Sequence, residues 1–341
     1  MQRCLQLAAM GAGQVAPNPM VGAVLVYAGR IIGEGYHQKF GEAHAEVNCI
    51  NSVADADKKF IPHSTMYVSL EPCAHFGKTP PCTDLIIKNK IQEVVIGCRD
   101  SFAEVDGKGI EKLKNEGINV TVGVLENECI ELNKRFFTFH EKQRPFIILK
   151  WAQSSDVKIA ASGVDRIFIS NEFTNRLVHK WRSEEAAILV GTNTALLDDP
   201  SLTTRLWPGN NPLRLVIDKE LKLPDHLKLF NDKTKTIVFN YNKQAETENL
   251  VYHQLKKEEN ILTQICAALY NMQIQSVIVE GGSKLLQSFI DEDLWDEARI
   301  ITNLTMVIGE GLDAPVLPGG ILISEKKIKN DMISVIKNKS N

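Results

Sequence analysis

Three residues with metal-ligating side chains, His44, Cys73 and Cys82, are spaced between positions 44 and 82 of the sequence. Each cysteine follows a proline, and Glu46 comes two residues after the histidine. One imidazole and two thiolates can bind Zn²⁺ while leaving its fourth tetrahedral position open, whereas a structural zinc site is normally closed by a fourth protein ligand. The pattern predicts a catalytic zinc site at which Glu46 transfers protons.

A His-x-Glu pair followed by Pro-Cys and a further cysteine is typical of zinc-dependent nucleobase deaminases, which displace ammonia from a ring carbon. Eight residues separate Cys73 from Cys82 here, where most deaminases have two. The Thr-Pro-Pro run in this longer loop restricts the path by which Cys82 returns to the metal. Taken singly, the cysteines could be ordinary buried thiols and His44 an ordinary polar residue. Together with Glu46, their order favours the zinc site.

The composition indicates an enzyme that acts on small molecules in the cytoplasm. The 341 residues suggest about two domains, and 44% hydrophobic with 24% charged residues is usual for a globular protein. The seven cysteines are odd in number and scattered, which argues against a disulfide framework. A net charge of −3 without a dense basic stripe argues against nucleic-acid binding. A membrane span and a signal peptide are not expected, because no apolar stretch approaches ~20 residues.

Alternating strands and helices in the first half predict a three-layer α/β sandwich with a partly parallel sheet. Both metal-binding segments then fall at helix N-termini, where the helix dipole favours thiolate. A polar stretch at 141–145 predicts a boundary, giving domains 1–143 and 144–341. The second domain also shows alternating strands and helices, which predict an α/β fold. Its Gly281-Gly282 turn, between a strand and a helix, can admit phosphate oxygens but is more often only a tight connection. Residues 191–205 have the character of a helix cap and a loop.

Four segments carry a resemblance that spans nearly the whole chain. They are Ala16-Pro17-Asn18-Pro19-Met20-Val21-Gly22-Ala23-Val24, Gly41-Glu42-Ala43-His44-Ala45-Glu46-Val47, Ser69-Leu70-Glu71-Pro72-Cys73-Ala74-His75-Phe76-Gly77-Lys78-Thr79-Pro80-Pro81-Cys82 and Leu196-Leu197-Asp198-Asp199-Pro200-Ser201-Leu202-Thr203. On these segments the chain resembles the bifunctional deaminase–reductases of riboflavin biosynthesis. The eight-residue gap between the cysteines is normal in that family.

For the first domain, the resemblance implies a cytidine-deaminase-like three-layer fold and hydrolysis of the 2-amino group of 2,5-diamino-6-ribosylamino-4(3H)-pyrimidinone 5′-phosphate. His44, Cys73 and Cys82 would hold zinc, and Glu46 would be the catalytic proton carrier. The residues that match the family's substrate-binding positions are Asn18, His37, Lys78 and Asp100.

For the second domain, the resemblance implies a dihydrofolate-reductase-like α/β fold that uses NADPH to reduce the ribosyl group of 5-amino-6-(5-phosphoribosylamino)uracil to ribityl. A homo-oligomer is also expected. The matching cofactor positions are Ala152, Phe168, Thr194, Asp198, Gly282, Ser283, Lys284, Leu285 and Leu286. The matching substrate positions are Arg182, Leu202, Arg205 and Glu280, and an arginine fork suits a phosphate.

The sequence departs from the family pattern in three places. Val157 occupies a glycine position, and Phe168 replaces a common tryptophan. Because a β-branched valine does not readily adopt positive φ, the loop at Val157 is expected to differ from the glycine-containing loop, with a less efficient reductase. The few acidic and aromatic residues that usually precede the first helix are missing, so a slightly clipped chain is expected.

Two other classes of function remain at this stage. One is a nucleoside or tRNA deaminase with an accessory domain, which the low positive charge and the Cys-x₈-Cys loop count against. The other is a binding protein without catalysis, which the complete set of His44, Glu46, Cys73 and Cys82 counts against.

Overall fold

The computed structural model describes residues 1–76, 80–102, 105–163, 167–231 and 234–340. The chain divides into two compact units, Met1–Gln143 and Arg144–Asn341. Each unit combines helices with a sheet, so the predicted α/β class is confirmed. Among the described residues, none of the helices has the length and apolar composition needed to cross a bilayer.

The first unit is built on a five-stranded sheet in the order β2-β1-β3-β4-β5, in which β1 is antiparallel to β2 and β3, and β3, β4 and β5 are parallel. Its strands are β1 (Gly22–Tyr27), β2 (Arg30–Tyr36), β3 (Thr65–Leu70), β4 (Glu93–Cys98) and β5 (Asn119–Val122). Its helices are α1 (Gln2–Ala9), α2 (Ala45–Asn51), α3 (Cys82–Lys88), α4 (Lys108–Asn115), α5 (Glu126–Leu132) and α6 (Lys134–Lys142), with a 3-10 helix at Lys58–His63.

The parallel strands of this sheet position the segments that carry the predicted site. The apolar side chains of β3 and β4, such as Met66 and Ile96, pack against α2, α3 and α4 in one buried core. Because β3 and β4 are parallel neighbours, their carboxyl ends lie side by side. Cys73 follows the end of β3, and Asp100 follows the end of β4.

The second unit contains a ten-stranded sheet in the order β11-β12-β10-β9-β8-β13-β6-β14-β17-β16, and β15 pairs with β7. Its strands are β6 (Phe146–Ser154), β7 (Lys158–Ala161), β8 (Ala187–Gly191), β9 (Leu213–Ile217), β10 (Thr236–Asn240), β11 (Ala245–Glu246), β12 (Leu250–Gln254), β13 (Ser276–Glu280), β14 (Glu297–Asn303), β15 (Gly311–Asp313), β16 (Ile321–Ile328) and β17 (Asp331–Lys337). Its helices are α7 (Glu172–Glu184), α8 (Thr192–Asp198), α9 (Ile261–Asn271) and α10 (Ser283–Asp291), with a 3-10 helix at Lys228–Phe230.

Alternate residues of β6 enter two different cores, one on each face of the sheet. Ile147 and Leu149 lie in the first core, and Phe146 and Ile148 lie in the second. A strand covered on both faces is expected to be apolar throughout, which explains the continuous apolar run that predicted it. Strand β16 gave no such signal, because nearly all of its residues are exposed at the edge of the sheet.

Candidate active sites

The structure brings the side chains of His44, Cys73 and Cys82 together. The Nδ1 atom of His44 lies 3.6 Å from Cys73 Sγ and 3.4 Å from Cys82 Sγ, and the three ligand atoms lie within 4.8 Å of one another. His44 is the N-cap residue of α2, and Cys82 is the first residue of α3. The expected placement of these two residues at helix N-termini is therefore confirmed.

These separations fit a zinc ion. Zn–N distances of about 2.0–2.1 Å and Zn–S distances of about 2.3 Å, at tetrahedral angles, place nitrogen and sulfur ligands about 3.6 Å apart. Among the described residues, the group consists of three possible ligands. A tetrahedral ion held by three protein ligands keeps one position for water or substrate.

The surroundings of Cys73 favour its thiolate. The hydrogen bond with the Cys82 side chain, together with those from the His44 ring and the Cys82 backbone, lowers the pKa of Cys73 although burial opposes this. The backbone N–H of Cys82 donates to Cys73 Sγ over 3.4 Å. Metals bind the thiolate rather than the thiol, so the sulfur of Cys73 is in the form that a zinc ion needs.

Glu46 lies in the first turn of α2 and is almost fully buried. Burial, and then the negative charge of Cys73, raise the pKa of its carboxyl group. A raised pKa means that the carboxyl group holds a proton more readily than an ordinary glutamate does, which suits a group that accepts a proton and later releases it. This environment suits the proton transfer predicted for Glu46.

A hydrogen-bonded chain connects His37 with Asn18. The Nδ1 atom of His37 lies 3.1 Å from the carbonyl oxygen of Ala43, and its Nε2 atom lies 3.1 Å from Asn18 Nδ2. The carbonyl oxygen can only accept, so Nδ1 carries the proton. Burial lowers the pKa of His37 and keeps the ring neutral, which makes Nε2 the acceptor for the Asn18 amide. The geometry suits His37 to orienting Asn18, whose carbonyl oxygen can then face a ligand.

Asp100 and Lys78 are the two other predicted substrate residues of this unit. Asp100 is buried after β4, and its carboxylate accepts a hydrogen bond of 2.8 Å from the backbone N–H of Phe102. Burial raises the pKa of Asp100 to about 7. Lys78 lies outside the described residues.

In the second unit, the predicted substrate residues Arg182 and Glu280 form a buried ion pair. The Nε and Nη2 atoms of Arg182 donate to the two carboxylate oxygens of Glu280 over 2.9 and 2.7 Å, and Lys150 Nζ lies 3.7 Å from the same carboxylate. Burial alone would raise the pKa of Glu280, but the charges of Arg182 and Lys150 lower it to about 2. Lys150, in the middle of β6, and Glu280, the last residue of β13, are register partners on these neighbouring parallel strands.

Arg205 adjoins this ion pair through Thr203. The Nη1 atom of Arg205 donates to Thr203 Oγ1 over 3.0 Å, and Arg182 Nη1 donates to the Thr203 carbonyl oxygen over 3.4 Å. The backbone N–H of Arg205 donates to His179 Nδ1 over 2.9 Å. Burial, and then Arg182 and Arg205, lower the pKa of His179 to about 4, so the ring is a neutral acceptor. The side chain of Leu202, by contrast, is buried in the core.

The glycine turn predicted to meet the cofactor joins β13 to α10. Gly281 has φ +139°, a conformation that favours glycine, and the N–H of Gly282 donates to Thr194 Oγ1 over 2.9 Å. Two predicted cofactor positions, distant in sequence, are thus adjacent. The other predicted cofactor residues are distributed as follows: Ala152 is half-buried on β6, Asp198 ends α8, Ser283, Lys284, Leu285 and Leu286 form the first turn of α10 with Leu286 fully buried, and Phe168 is largely exposed.

Comparison with known proteins accounts for both units. A family model described as the RibD C-terminal domain matches residues 145–340, and the cytidine and deoxycytidylate deaminase zinc-binding region matches residues 1–98. The riboflavin biosynthesis protein RibD of Aquifex aeolicus is 41% identical over 96% of this chain and 92% of its own length. The Escherichia coli protein of that name is 32% identical over 94% of this chain and 90% of its own length. The chain belongs to the RibD family.

A solved RibD-type structure extends this similarity to three dimensions. The diaminohydroxyphosphoribosylaminopyrimidine deaminase/5-amino-6-(5-phosphoribosylamino)uracil reductase of Thermotoga maritima is 38% identical and superposes with a TM-score of 0.89, covering 99% of this chain and 97% of that chain. RibD proteins are bifunctional enzymes of riboflavin biosynthesis. This member carries the zinc-binding deaminase domain and the NADPH-using reductase domain of the family, with the predicted cytidine-deaminase-like fold in the first.

One expectation based on the RibD pattern is wrong. Val157 was expected to force a loop different from that of a glycine, but it has φ +60°. A β-branched residue is strained in this region. The carboxylate of Asp156 accepts hydrogen bonds from the backbone N–H groups of Ile308 and Gly309 over 3.0 and 2.7 Å. These tertiary contacts fix the turn and hold the valine in the unfavourable conformation.

Several residues of these RibD sites escaped the sequence analysis. Lys150 could have been noticed as the one charged residue in the apolar run from Phe146 to Trp151. His179 lies one helical turn before Arg182, which is a weak signal. Asn133 gave no signal in the sequence. Its side-chain amide nevertheless pairs with both backbone polar groups of Met20 over 2.8 and 2.9 Å and so fixes the loop that carries Asn18.

Proposed function

We propose that this chain catalyses two consecutive reactions on one pyrimidine ribosyl phosphate. The first unit removes the 2-amino group of 2,5-diamino-6-ribosylamino-4(3H)-pyrimidinone 5′-phosphate by hydrolysis. The second reduces the ribosyl group of the product, 5-amino-6-(5-phosphoribosylamino)uracil, with NADPH. The observation that carries this proposal is the three-ligand cluster with the buried carboxyl group of Glu46 beside it, in a chain similar to an enzyme named for both steps.

In the deaminase unit, His44, Cys73 and Cys82 would hold zinc, which supplies Lewis-acid activation of water at neutral pH. Glu46 takes a proton from the attacking water and passes it to the departing amino group, which leaves as ammonia. The raised pKa of Glu46 supports both steps. The carbonyl oxygen of Asn18 is the acceptor available for a donor group of the substrate, because its amide nitrogen is engaged by His37.

In the reductase unit, NADPH supplies the hydride, and the protein supplies binding and a proton. Lys150 and Arg182 contact one carboxylate, Glu280, and Arg205 adjoins this group through Thr203, so that three cations outnumber one anion and leave an excess of positive charge that suits a substrate phosphate. Lys150 is the member of this group that can release a proton, since arginine stays protonated. The Thr194 contact with the turn at Gly282 supports a cofactor position at the start of α10.

We expect a homo-oligomer that works in the cytoplasm without nucleic acid, in line with the low net charge and with seven cysteines that are free in the structure. Gel filtration with light scattering measures the oligomeric state.

The deciding experiment supplies the diaminopyrimidine phosphate with and without NADPH and identifies products by mass. Without NADPH, we expect the deaminated ribosyl compound and one ammonia per turnover. With NADPH, we expect the ribityl compound. Ammonia release from cytidine or adenosine, with the diaminopyrimidine phosphate left intact, would instead support a nucleoside deaminase.

A further inference from the structure

The carboxylate of Glu71, two residues before Cys73, accepts four backbone hydrogen bonds. Its Oε2 atom accepts from Asp100 and Gly107 over 3.2 and 3.0 Å, and its Oε1 atom accepts from Gly109 and Ile110 over 2.9 and 3.2 Å. The side chain is almost fully buried. A buried carboxylate is costly unless strong donors surround it, and here four N–H groups do.

Three of these donors belong to the start of α4. Gly107, its N-cap residue, has φ +85°, and Gly109 and Ile110 lie in its first turn. These N–H groups have no partner within their own helix, and the helix dipole favours an anion there. Glu71 therefore caps α4 from a different segment of the chain, and it also holds the backbone of Asp100.

The segment that begins at Glu71 leads to Cys73, one of the three proposed zinc ligands. The backbone N–H of Glu71 donates to the Cys98 carbonyl oxygen over 3.0 Å. A Cβ atom on Gly109 would lie 2.1 Å from the Pro72 carbonyl oxygen, so α4 begins in close contact with the backbone that leads to Cys73. The Cys73 carbonyl oxygen in turn accepts from the N–H and hydroxyl groups of Thr83, both over 3.2 Å. The backbone around Cys73 is therefore held on one side by the hydrogen bonds of Glu71 and on the other side by α3.

We propose that Glu71 is a positioning residue for the deaminase centre. Its carboxylate fixes Cys73 and Asp100 relative to α4, and thereby sets the affinity for zinc and the rate of deamination without touching either metal or substrate. This inference rests on the proposed zinc deaminase. It assigns a function to a motif residue that the ligand set does not include.

The test compares Glu71→Gln with wild type and with Glu93→Gln, a control in the same domain whose carboxylate accepts from a single hydroxyl at an exposed site. The amide of Gln directs an NH₂ group at two of the backbone N–H donors, so the hydrogen bonds to those two donors should be lost. Supporting groups around a metal site typically contribute 10- to 100-fold to metal affinity or activity. We expect Glu71→Gln to bind zinc about 10- to 100-fold more weakly and to show altered visible bands with Co²⁺.

Deamination by Glu71→Gln should also fall at saturating zinc and well below its unfolding temperature, whereas a residue that only stabilises the fold would leave the folded fraction fully active. Reduction of separately supplied uracil substrate should match wild type. If Glu71→Gln kept the zinc affinity, the Co²⁺ spectrum and the deamination rate of wild type, the inference would be overturned. If wild type itself bound no zinc, the proposed function would fail instead.

Hydrogen exchange on the wild-type protein tests the same coupling if Glu71→Gln does not fold. Coupling between two sites is reciprocal. Zinc should therefore slow amide exchange at Gly107, Gly109 and Ile110, by an amount that approaches the slowing at Leu25, a buried residue in the middle of β1 whose amide exchanges on global unfolding. Slowing at Leu25 without slowing at Gly107, Gly109 and Ile110 would contradict a positioning role for Glu71.

Discussion

Glu46 combines burial, a raised pKa and a place beside the three candidate metal ligands without being one of them. Glu46→Gln keeps the shape of the side chain but cannot carry a proton. We expect zinc content to stay near one per chain and deamination to fall by at least ~10²-fold, while reduction is unaffected. Metal analysis and separate assays of the two steps measure this. The control is Glu42→Gln, which alters an exposed carboxylate in the loop before α2. Loss of zinc from Glu46→Gln with near-normal turnover would refute the assignment.

Val157 is strained in the folded state and half-exposed, so its side chain contributes little packing. Val157→Gly should relieve about 1–2 kcal/mol of strain against an entropic cost of about 0.5–1 kcal/mol. Urea unfolding should show equal or greater stability, with a gain of up to about 1.5 kcal/mol, and reductase activity should be equal or higher. Val316→Gly, at an exposed valine outside the positive-φ set, should not stabilise. Equal destabilisation by both changes would contradict the strain argument.

At the level of elements, the Arg182–Glu280 pair connects α7 to the end of β13. The pKa of Glu280 is about 2 in the folded protein, below the ordinary glutamate value of 4.5, so its ionisation stabilises the fold above pH 4.5. Protonation removes that contribution as pH falls from about 4.5 to about 2, by up to roughly 3 kcal/mol. The difference in unfolding free energy between wild type and Glu280→Gln should shrink over this range.

Denaturant unfolding at a series of pH values measures this difference. At neutral pH, Glu280→Gln should destabilise by about 3–5 kcal/mol, because it leaves Arg182 buried beside a neutral group. Glu325→Gln, which alters an exposed carboxylate bonded to Ser334, should show little difference at any pH. If the destabilisation by Glu280→Gln stayed constant down to pH 2, the ion pair would not be the cause of the loss of stability at acidic pH.

At the scale of the molecule, each of the two units has cores of its own. Residues such as Met66 and Ile96 form one in the first unit, and the two faces of β6 support two in the second. We expect the separately expressed segments 1–143 and 144–341 to fold, the first with zinc and deaminase activity and the second with reductase activity. Circular dichroism, metal content and product analysis of each segment test this. Activity that returns only on mixing the two segments would show that neither is complete alone.

The sequence by itself determined the α/β class, and it predicted the three candidate zinc ligands and the candidate proton carrier. His44, Glu46 and Cys82 could be found because their chemistry depends on short spacings and on helix starts that are local in sequence. The buried strands could be found because a strand covered on both faces must be apolar along its whole length.

Only the tertiary structure decided how distant residues combine. Lys150 meets Glu280, and Glu71 meets the start of α4, because strand order and parallel pairing bring together segments tens of residues apart. The edge strand β16 lacked a pattern because it has no buried face. Local preference also misled at Val157, where the hydrogen bonds that Asp156 receives from Ile308 and Gly309 outweigh the resistance of a β-branched residue to positive φ.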